Sequence, residues 1–388
     1  MKKLVYLLLL LSVGSIALKT YAQKDVNQVD LEVLYAAIQK TPSYKKLLKG
    51  EKAYQQLYED VKLKITAADE RQAFRQLSRL VSAVNDNHLG FYRTPDTALK
   101  TFYSSVILDN RDSLRKRLQQ KPESDLEGIY YANKQQFGLC AMGDNAYQIV
   151  SLAKGFVIAE IFYTPYGGYD MILYSGKPTP YQLIKNTRLV NGTLLGTPFT
   201  KYIEKKFSIL DKGDENFEYK TLNDKVGYLR LSSFSSSNVN IKKSEEFHAT
   251  IIGKLNTENL ILDLRGNTGG GYKTSRKFLN LLKKYKGQIF VLQNAATVSN
   301  AEQFILQLKP LKKVITLGEQ TKGMITFGSN YGSKIVLPSG RFTFYPTDMK
   351  GLGRDLAYES KGINPDIALD AFKSDWIEQT LEHIKKKP

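Results

Sequence analysis

Cysteine is nearly absent from the chain: the only one in 388 residues is Cys140, so no intrachain disulfide can form. It lies in the strand-like run Phe137 to Ala141 and reads as a small buried hydrophobe, not as a nucleophile. Histidine is almost as scarce, with only His88, His248 and His383. Residues so few and so far apart make no cluster with metal-ligand spacing, so neither a metal nor any other cofactor is expected. Repeats and low-complexity tracts are missing too. A long apolar run occurs only at the start, where Met1-Lys2-Lys3 precedes Leu4 to Leu18. It is short for a spanning helix and reads as a secretory signal over 1–22 with Thr20-Tyr21-Ala22 as cleavage site; an uncleaved anchor is the alternative. No cysteine lies near the cut, so a lipid-modified N-terminus is not expected. An exported protein follows, periplasmic or extracellular, with no stable membrane span once the signal is removed. Acidic residues are outnumbered, 38 Asp and Glu against 56 Lys and Arg, for a formal net charge of +18. Such an excess favours anionic surfaces in general. The lysines are scattered or form solvated runs such as Lys385-Lys386-Lys387, with no nucleic-acid module around them, so nucleic acid is not an expected partner.

A chain of this length can build two or three domains. Residues 23–121 read as an N-terminal helical region, helical in character from about Asp30 to Leu118. Tyr54, Leu57, Tyr58, Val61 and Ile65 recur at spacings of three and four, and Phe74, Leu77, Val81 and Val84 do likewise. The second pattern stops at Asn85-Asp86-Asn87-His88-Leu89-Gly90. After Pro122, short Tyr-, Ile- and Val-rich runs are punctuated by Gly143-Asp144-Asn145, Gly167-Gly168 and Ser175-Gly176-Lys177-Pro178. That punctuation predicts the antiparallel strands of a small sandwich or barrel, a β domain over 122–222. From 223 to 388 strand-like runs (226–231, 260–264, 289–292, 314–317) alternate with helical patterns (244–255, 274–284, 301–308). The alternation means an α/β region with a mostly parallel sheet and crossover helices. A hairpin turned at Ser339-Gly340 and a closing helix from Trp376 to Lys385 follow.

The most informative stretch runs from Asn259 to Tyr272. Leu260-Ile261-Leu262 reads as a strand buried on both faces. It ends in Asp263-Leu264-Arg265 and then in Gly266, Gly269, Gly270 and Gly271 before a helix. A strand entering glycines presents bare backbone N–H groups beyond the sheet, able to hold a phosphate or an oxyanion. Ser299 follows the strand and turn Phe290 to Val298, where a helix begins. A hydroxyl there is exposed at the sheet's C-terminal edge, and the first N–H groups of the helix favour developing negative charge. The alternative is that Ser299 or Asn300 serves only as an N-cap; the surroundings are not a G-x-S-x-G elbow. A nucleophilic serine needs a base. His248, in a lysine- and glutamate-rich helix, and His383, near the C-terminus, read as surface residues. His88 lies in a polar turn after an apolar helix, with Asp86 and Asn87 before it and Gly90 after it. A carboxylate orienting the imidazole would be Glu359, in the loop Tyr358 to Asp366; Asp366 is the rival, although a Pro-Asp pair before an apolar run is commonly a turn former.

Together these pieces resemble a known family. Leu262-Asp263-Leu264-Arg265-Gly266-Asn267-Thr268-Gly269-Gly270-Gly271 resembles the strand-and-glycine signature of the tail-specific, or C-terminal-processing, serine peptidases (family S41). Ser299-Asn300-Ala301-Glu302 resembles their S-A-S-E nucleophile motif, and Gly318-Glu319-Gln320-Thr321 and Gly362-Ile363-Asn364-Pro365-Asp366 match later landmarks. The likeness covers roughly Asp224 to Leu369 and implies a crotonase/ClpP-like sheet in the catalytic region. In the processing-protease branch a lysine follows the serine at a position held here by Met324, with Lys322 two residues short of it. The branch that resembles the tricorn core protease uses a histidine in a D-x-H segment and a glutamate before a G-V-x-P-D element. Asp86-Asn87-His88 and Glu359 occupy those places. The resemblance therefore implies Ser299 as nucleophile, His88 as general base in preference to Lys322, and Glu359 as its orienter. The N–H groups of Gly269, Gly270 and Asn300 would form the oxyanion hole. No PDZ carboxylate-binding loop is evident in the middle region.

The expected function is that of an exported serine endopeptidase acting on proteins or peptides without metal or cofactor. One rival is a catalytically inactive protein of the same fold that binds peptides or envelope components. Another is a crotonase-like acyl-CoA enzyme, against which the signal segment argues, because acyl-CoA is a cytoplasmic substrate.

Overall fold

The structure is a computed structural model describing residues 25–96, 110–143, 145–174, 180–203, 215–330 and 332–386. The expected signal segment with its cleavage site, and the Ser175 to Pro178 turn, lie outside the described residues. Four helices come first: α1 (Val26–Lys40), α2 (Pro42–Leu47), α3 (Lys52–Ile65) and α4 (Glu70–Ser82). Asp69 caps α4 by accepting from the Gln72 N–H at 2.8 Å, and Ala73, Phe74, Leu77, Leu80 and Val81 form its buried stripe. That stripe lies on β1 (Gly90–Arg93), where the Phe74 and Phe91 rings stack at 4.9 Å. The strand falls inside the region that the apolar spacing marks as helical. Four residues carry no readable period, and their pairing partners lie far along the chain.

Helix α5 (Arg111–Gln119) leads into β2 (Gly128–Ala132), β3 (Gln135–Gly143), β4 (Ala146–Ser151), β5 (Val157–Tyr163), β6 (Tyr169–Leu173) and β7 (Gln182–Thr187). A two-stranded ribbon follows, β8 (Leu189–Val190) with β9 (Thr193–Leu194). The C-terminal region contains β10 (Phe217–Asn223), β11 (Val226–Leu231), α6 (Asn238–Ile251), β12 (Asn259–Asp263), α7 (Tyr272–Lys284), β13 (Gln288–Gln293), α8 (Asn300–Leu308) and β14 (Val314–Gly318). After these come the hairpin β15 (Ile335–Val336) and β16 (Phe342–Tyr345), a 3₁₀ turn (Gly353–Tyr358), β17 (Ile367–Ala368) and α9 (Trp376–Lys386). Strands β2 to β7 are antiparallel, as their punctuation predicts. They do not close on themselves: they continue through β1 and the distant hairpin into one nine-stranded sheet of order β15-β16-β1-β7-β6-β5-β4-β3-β2. Register Phe91↔Phe344 in this sheet ties the loop before β1 to the C-terminal hairpin. Among the described residues no helix is long and apolar enough to cross a membrane.

The second sheet has the order β10-β11-β12-β13-β14-β17, parallel except for β10. Leu260 and Leu262 face Phe278, Phe304 and Ile305 of the crossover helices, while Ile261 faces the core beneath Trp376 of α9. Burial on both faces is why β12 is apolar without alternation. Its last residue, Asp263, is fully buried and turns the chain into the glycine run. The carboxylate accepts from Arg265 N–H (3.0 Å), Arg265 Nη2 (2.7 Å) and Tyr228 Oη (2.9 Å). Burial pushes its pKa upward, but the guanidiniums of Arg265 and Arg230 outweigh that and hold it below the usual carboxylate value. The pair's contribution to stability is therefore present above that ordinary value and lost as pH falls through the depressed one. Asp263→Ala leaves buried guanidinium charge without its carboxylate and should cost about 3–5 kcal/mol in urea unfolding. A loss under about 1 kcal/mol would contradict this role.

Candidate active site

The loops that follow β12 and β13 are laced together. Asn294 Oδ1 accepts from the Gly266 N–H at 3.0 Å, Asn267 O accepts from the Val298 N–H at 2.9 Å, and Thr297 Oγ1 donates to Leu264 O at 3.0 Å. The lacing fixes the glycine run against the turn that carries Ser299. Ser299 itself sits at φ 58°, ψ −120°, a backbone region that costs a non-glycine residue roughly 1–3 kcal/mol. Its N–H donates to Glu302 Oε2 at 2.9 Å, which holds the strained turn. The Glu302 side chain is completely buried and also accepts from Thr321 Oγ1 (2.6 Å), Gly323 N–H (2.7 Å) and Met324 N–H (3.1 Å). Burial raises its pKa although these donors pull the other way.

His88 reaches this serine from the far end of the chain. Its Nε2 lies 2.9 Å from Ser299 Oγ, and both residues are half-buried. The His88 N–H donates to Asp86 Oδ1 at 3.0 Å, and Asp86 Oδ2 accepts from Thr347 Oγ1 at 2.7 Å. Burial lowers the imidazole pKa below its ordinary value, with the Asp86 charge opposing. The neutral ring is thus favoured, and a neutral ring can accept the serine proton.

Glu359 lies beside this loop but makes no hydrogen bond to the imidazole, whose Nδ1 has no partner among the described residues. Its carboxylate instead accepts three backbone N–H groups, from Asn87 (3.0 Å), Ile325 (3.0 Å) and Thr326 (2.8 Å). Burial and then the Asp86 charge push the Glu359 pKa up to about 7 against those donors. Asn87 adds bonds from Nδ2 to Gly323 O (2.8 Å) and Ser360 Oγ (2.9 Å). Asp366, the rival carboxylate, accepts from Thr316 N–H (2.9 Å) and Thr316 Oγ1 (2.8 Å), a structural tie beside β17. Lys322 is turned away from the serine: its Nζ donates to the Lys185 and Asn186 carbonyls. Burial brings its pKa down to about 8. His248 and His383 are half-buried, not surface residues as their surroundings suggest, and pack edge-on against Phe278 and Phe290.

The glycine run meets Ser299 directly. At Gly269 (φ +83°) a Cβ would lie 2.7 Å from Val298 O, 2.8 Å from Ser299 Cβ and 2.9 Å from Asn300 N. Its N–H is given to Asn267 Oδ1 at 2.9 Å, so of the three expected oxyanion donors this one is occupied. The N–H groups of Gly270 and Asn300 have no acceptor among the described residues. At Gly270 a Cβ would run into the Phe234 carbonyl. Sequence reasoning had no signal for the Asn267 bond. The S-x-x-E spacing of Ser299 and Glu302, that of a capping box, was the signal that could have found Glu302 as the residue holding the serine turn.

The model of peptidase family S41 matches residues 225–284 and 271–369. No curated protein matches the chain. Among solved structures, one from Parabacteroides merdae is 15% identical over 93% of this chain and 98% of its own, with a TM-score of 0.47. The photosystem II D1 C-terminal processing protease is 14% identical over 89% and 93%, with a TM-score of 0.41. Mature CPAF is 12% identical over 93% and 97%, with a TM-score of 0.46. Residues 225–369 of the chain are thus similar to peptidase family S41, a family of peptidases.

Proposed function

We propose that the protein is an exported serine endopeptidase in which Ser299 is the nucleophile and His88 the general base. The observation that carries this reading is the 2.9 Å approach of His88 Nε2 to Ser299 Oγ, between residues 211 positions apart. Ser299 Oγ attacks the peptide carbonyl while its proton passes to His88 Nε2. The developing oxyanion takes the free N–H groups of Gly270 and Asn300, aimed in advance at that charge. His88 then returns the proton to the leaving amine, and water hydrolyses the acyl-enzyme by the same route. Glu359 acts as a positioning residue that holds the backbone before His88, and Glu302 does the same for Ser299. Lys322 supports the loop and takes no proton from the serine. Export rests on the charged start and apolar run of residues 1–22.

Peptide hydrolysis by four variants tests the assignment. Ser299→Ala and His88→Ala should each lower kcat/KM by about 10⁴-fold or more. Gly269→Ala should also be severely impaired, because its Cβ displaces Ser299 and the Asn300 amide. Lys322→Met should retain most activity; its inactivation together with a functional His88→Ala would mean a serine–lysine pair instead. Fluorophosphonate labelling at Ser299 separates an enzyme from an inert binder of the same fold. In a pH–rate profile, activity falls as pH drops and His88 gains a proton. Asp86 raises the pKa of both His88 and Glu359, so Asp86→Asn should move the acid limb of kcat/KM to lower pH. An unmoved or higher limb would count against His88 as base. N-terminal sequencing of secreted protein should begin after Ala22; an intact Met1 would contradict cleavage.

A further inference from the structure

A cleft of about 220 Å³ opens at Asn300, the residue after Ser299, between α7, α8 and the segment around Leu352 to Arg354. Leu279 and Phe304 are buried apolar residues of its lining. Asn300 lines it too; it is only 3% exposed, and its Oδ1 has no hydrogen-bond partner. A buried polar atom left unpaired is costly, and a ligand that supplies the partner removes the cost. Two guanidiniums stand at the same cleft. Arg276 lies over the Tyr272 ring at 5.8 Å and has no carboxylate within ion-pair distance among the described residues. Arg354 Nε is 3.7 Å from Asp355 Oδ1, the one acid in ion-pair range of either arginine. One buried carboxylate against two permanently charged groups leaves the cleft positive. The basic strip continues along α7 with Lys273 and Lys277, which line the neighbouring groove; Lys277 is tied to Ser244 Oγ at 2.8 Å.

We propose that this cleft is a specificity subsite for a carboxylate-bearing residue next to the scissile bond, a reading that rests on Ser299 being the nucleophile. Arg276 and Arg354 present planar forks that match a carboxylate, the apolar lining takes the methylene stem, and Asn300 pairs with a polar group of the bound segment. A glutamate or aspartate side chain is the expected source. A peptide's terminal carboxylate has the same chemistry.

Mass-spectrometric mapping of cuts in a peptide library is the direct test. Glu or Asp should be enriched about tenfold over Gln or Asn at a position flanking the cut. The enrichment should shrink at high salt, fall partly in Arg276→Gln and Arg354→Gln, and vanish in the double variant. Cuts at a fixed distance from peptide ends, lost on amidation, would assign the subsite to the terminal carboxylate. Cleavage with no acidic preference, or a preference that survives the double variant, overturns the proposal. If the library is not cut, the reading of Ser299 fails first, and the subsite is judged by binding alone. Ser299→Ala protein should bind a labelled Glu peptide about tenfold more tightly than its Gln twin in fluorescence anisotropy. Equal affinities, or no binding by either, overturn it there.

Discussion

One short segment, Gly323 to Thr326, supports both halves of the proposed reaction centre. Its four N–H groups are shared between two buried carboxylates: Gly323 and Met324 donate to Glu302, and Ile325 and Thr326 donate to Glu359. Each carboxylate also takes one amide from elsewhere. Glu302 takes that of Ser299 and Glu359 that of Asn87, the neighbour of His88. The serine turn and the histidine loop are thereby held to a common strip of backbone. Carboxyl oxygens this deeply buried are costly to leave without donors, so neither arrangement can shift without stranding buried polar atoms.

The energetics of the site are those of a strained, partly buried corner made rigid by its surroundings. Ser299 is kept at positive φ by Glu302 and by the interlaced loops after β12 and β13. Gly269 has no side chain where one would strike Ser299. The same burial that lowers the His88 pKa raises those of Glu302 and Glu359. Low dielectric thus favours the neutral form of each group, while the amide donors to Glu302 and Glu359 pull those carboxyls back toward the ionised form.

Much of this was legible in residue order. The run Leu260 to Leu262, the glycines after it and the helix from Asn300 are local patterns whose period survives folding, and they lie where the spacing predicts. The polar turn marked His88 as a candidate, but only the resemblance to a family pattern paired it with Ser299, because no local rule joins residues 211 positions apart. Strand β1 was hidden, since Phe91 gains its strand character from Phe344 and its packing from Phe74. Glu359 was found, but its partners were not. A carboxylate is identified by type, whereas the choice between an imidazole nitrogen and three amides depends on which atoms converge.

Sequence alone determined the parallel sheet, the serine at its edge and the small set of groups available for chemistry, because apolar period and glycine placement act over a few residues. Tertiary structure decided the rest. It joined the middle strands to β1 and the distant hairpin, turned Lys322 away and brought His88 to Ser299. It also assigned the Gly269 amide to Asn267 and set two arginines beside the cleft. Each of these depends on the sum of many contacts between remote segments, and no single stretch of the chain contains that sum.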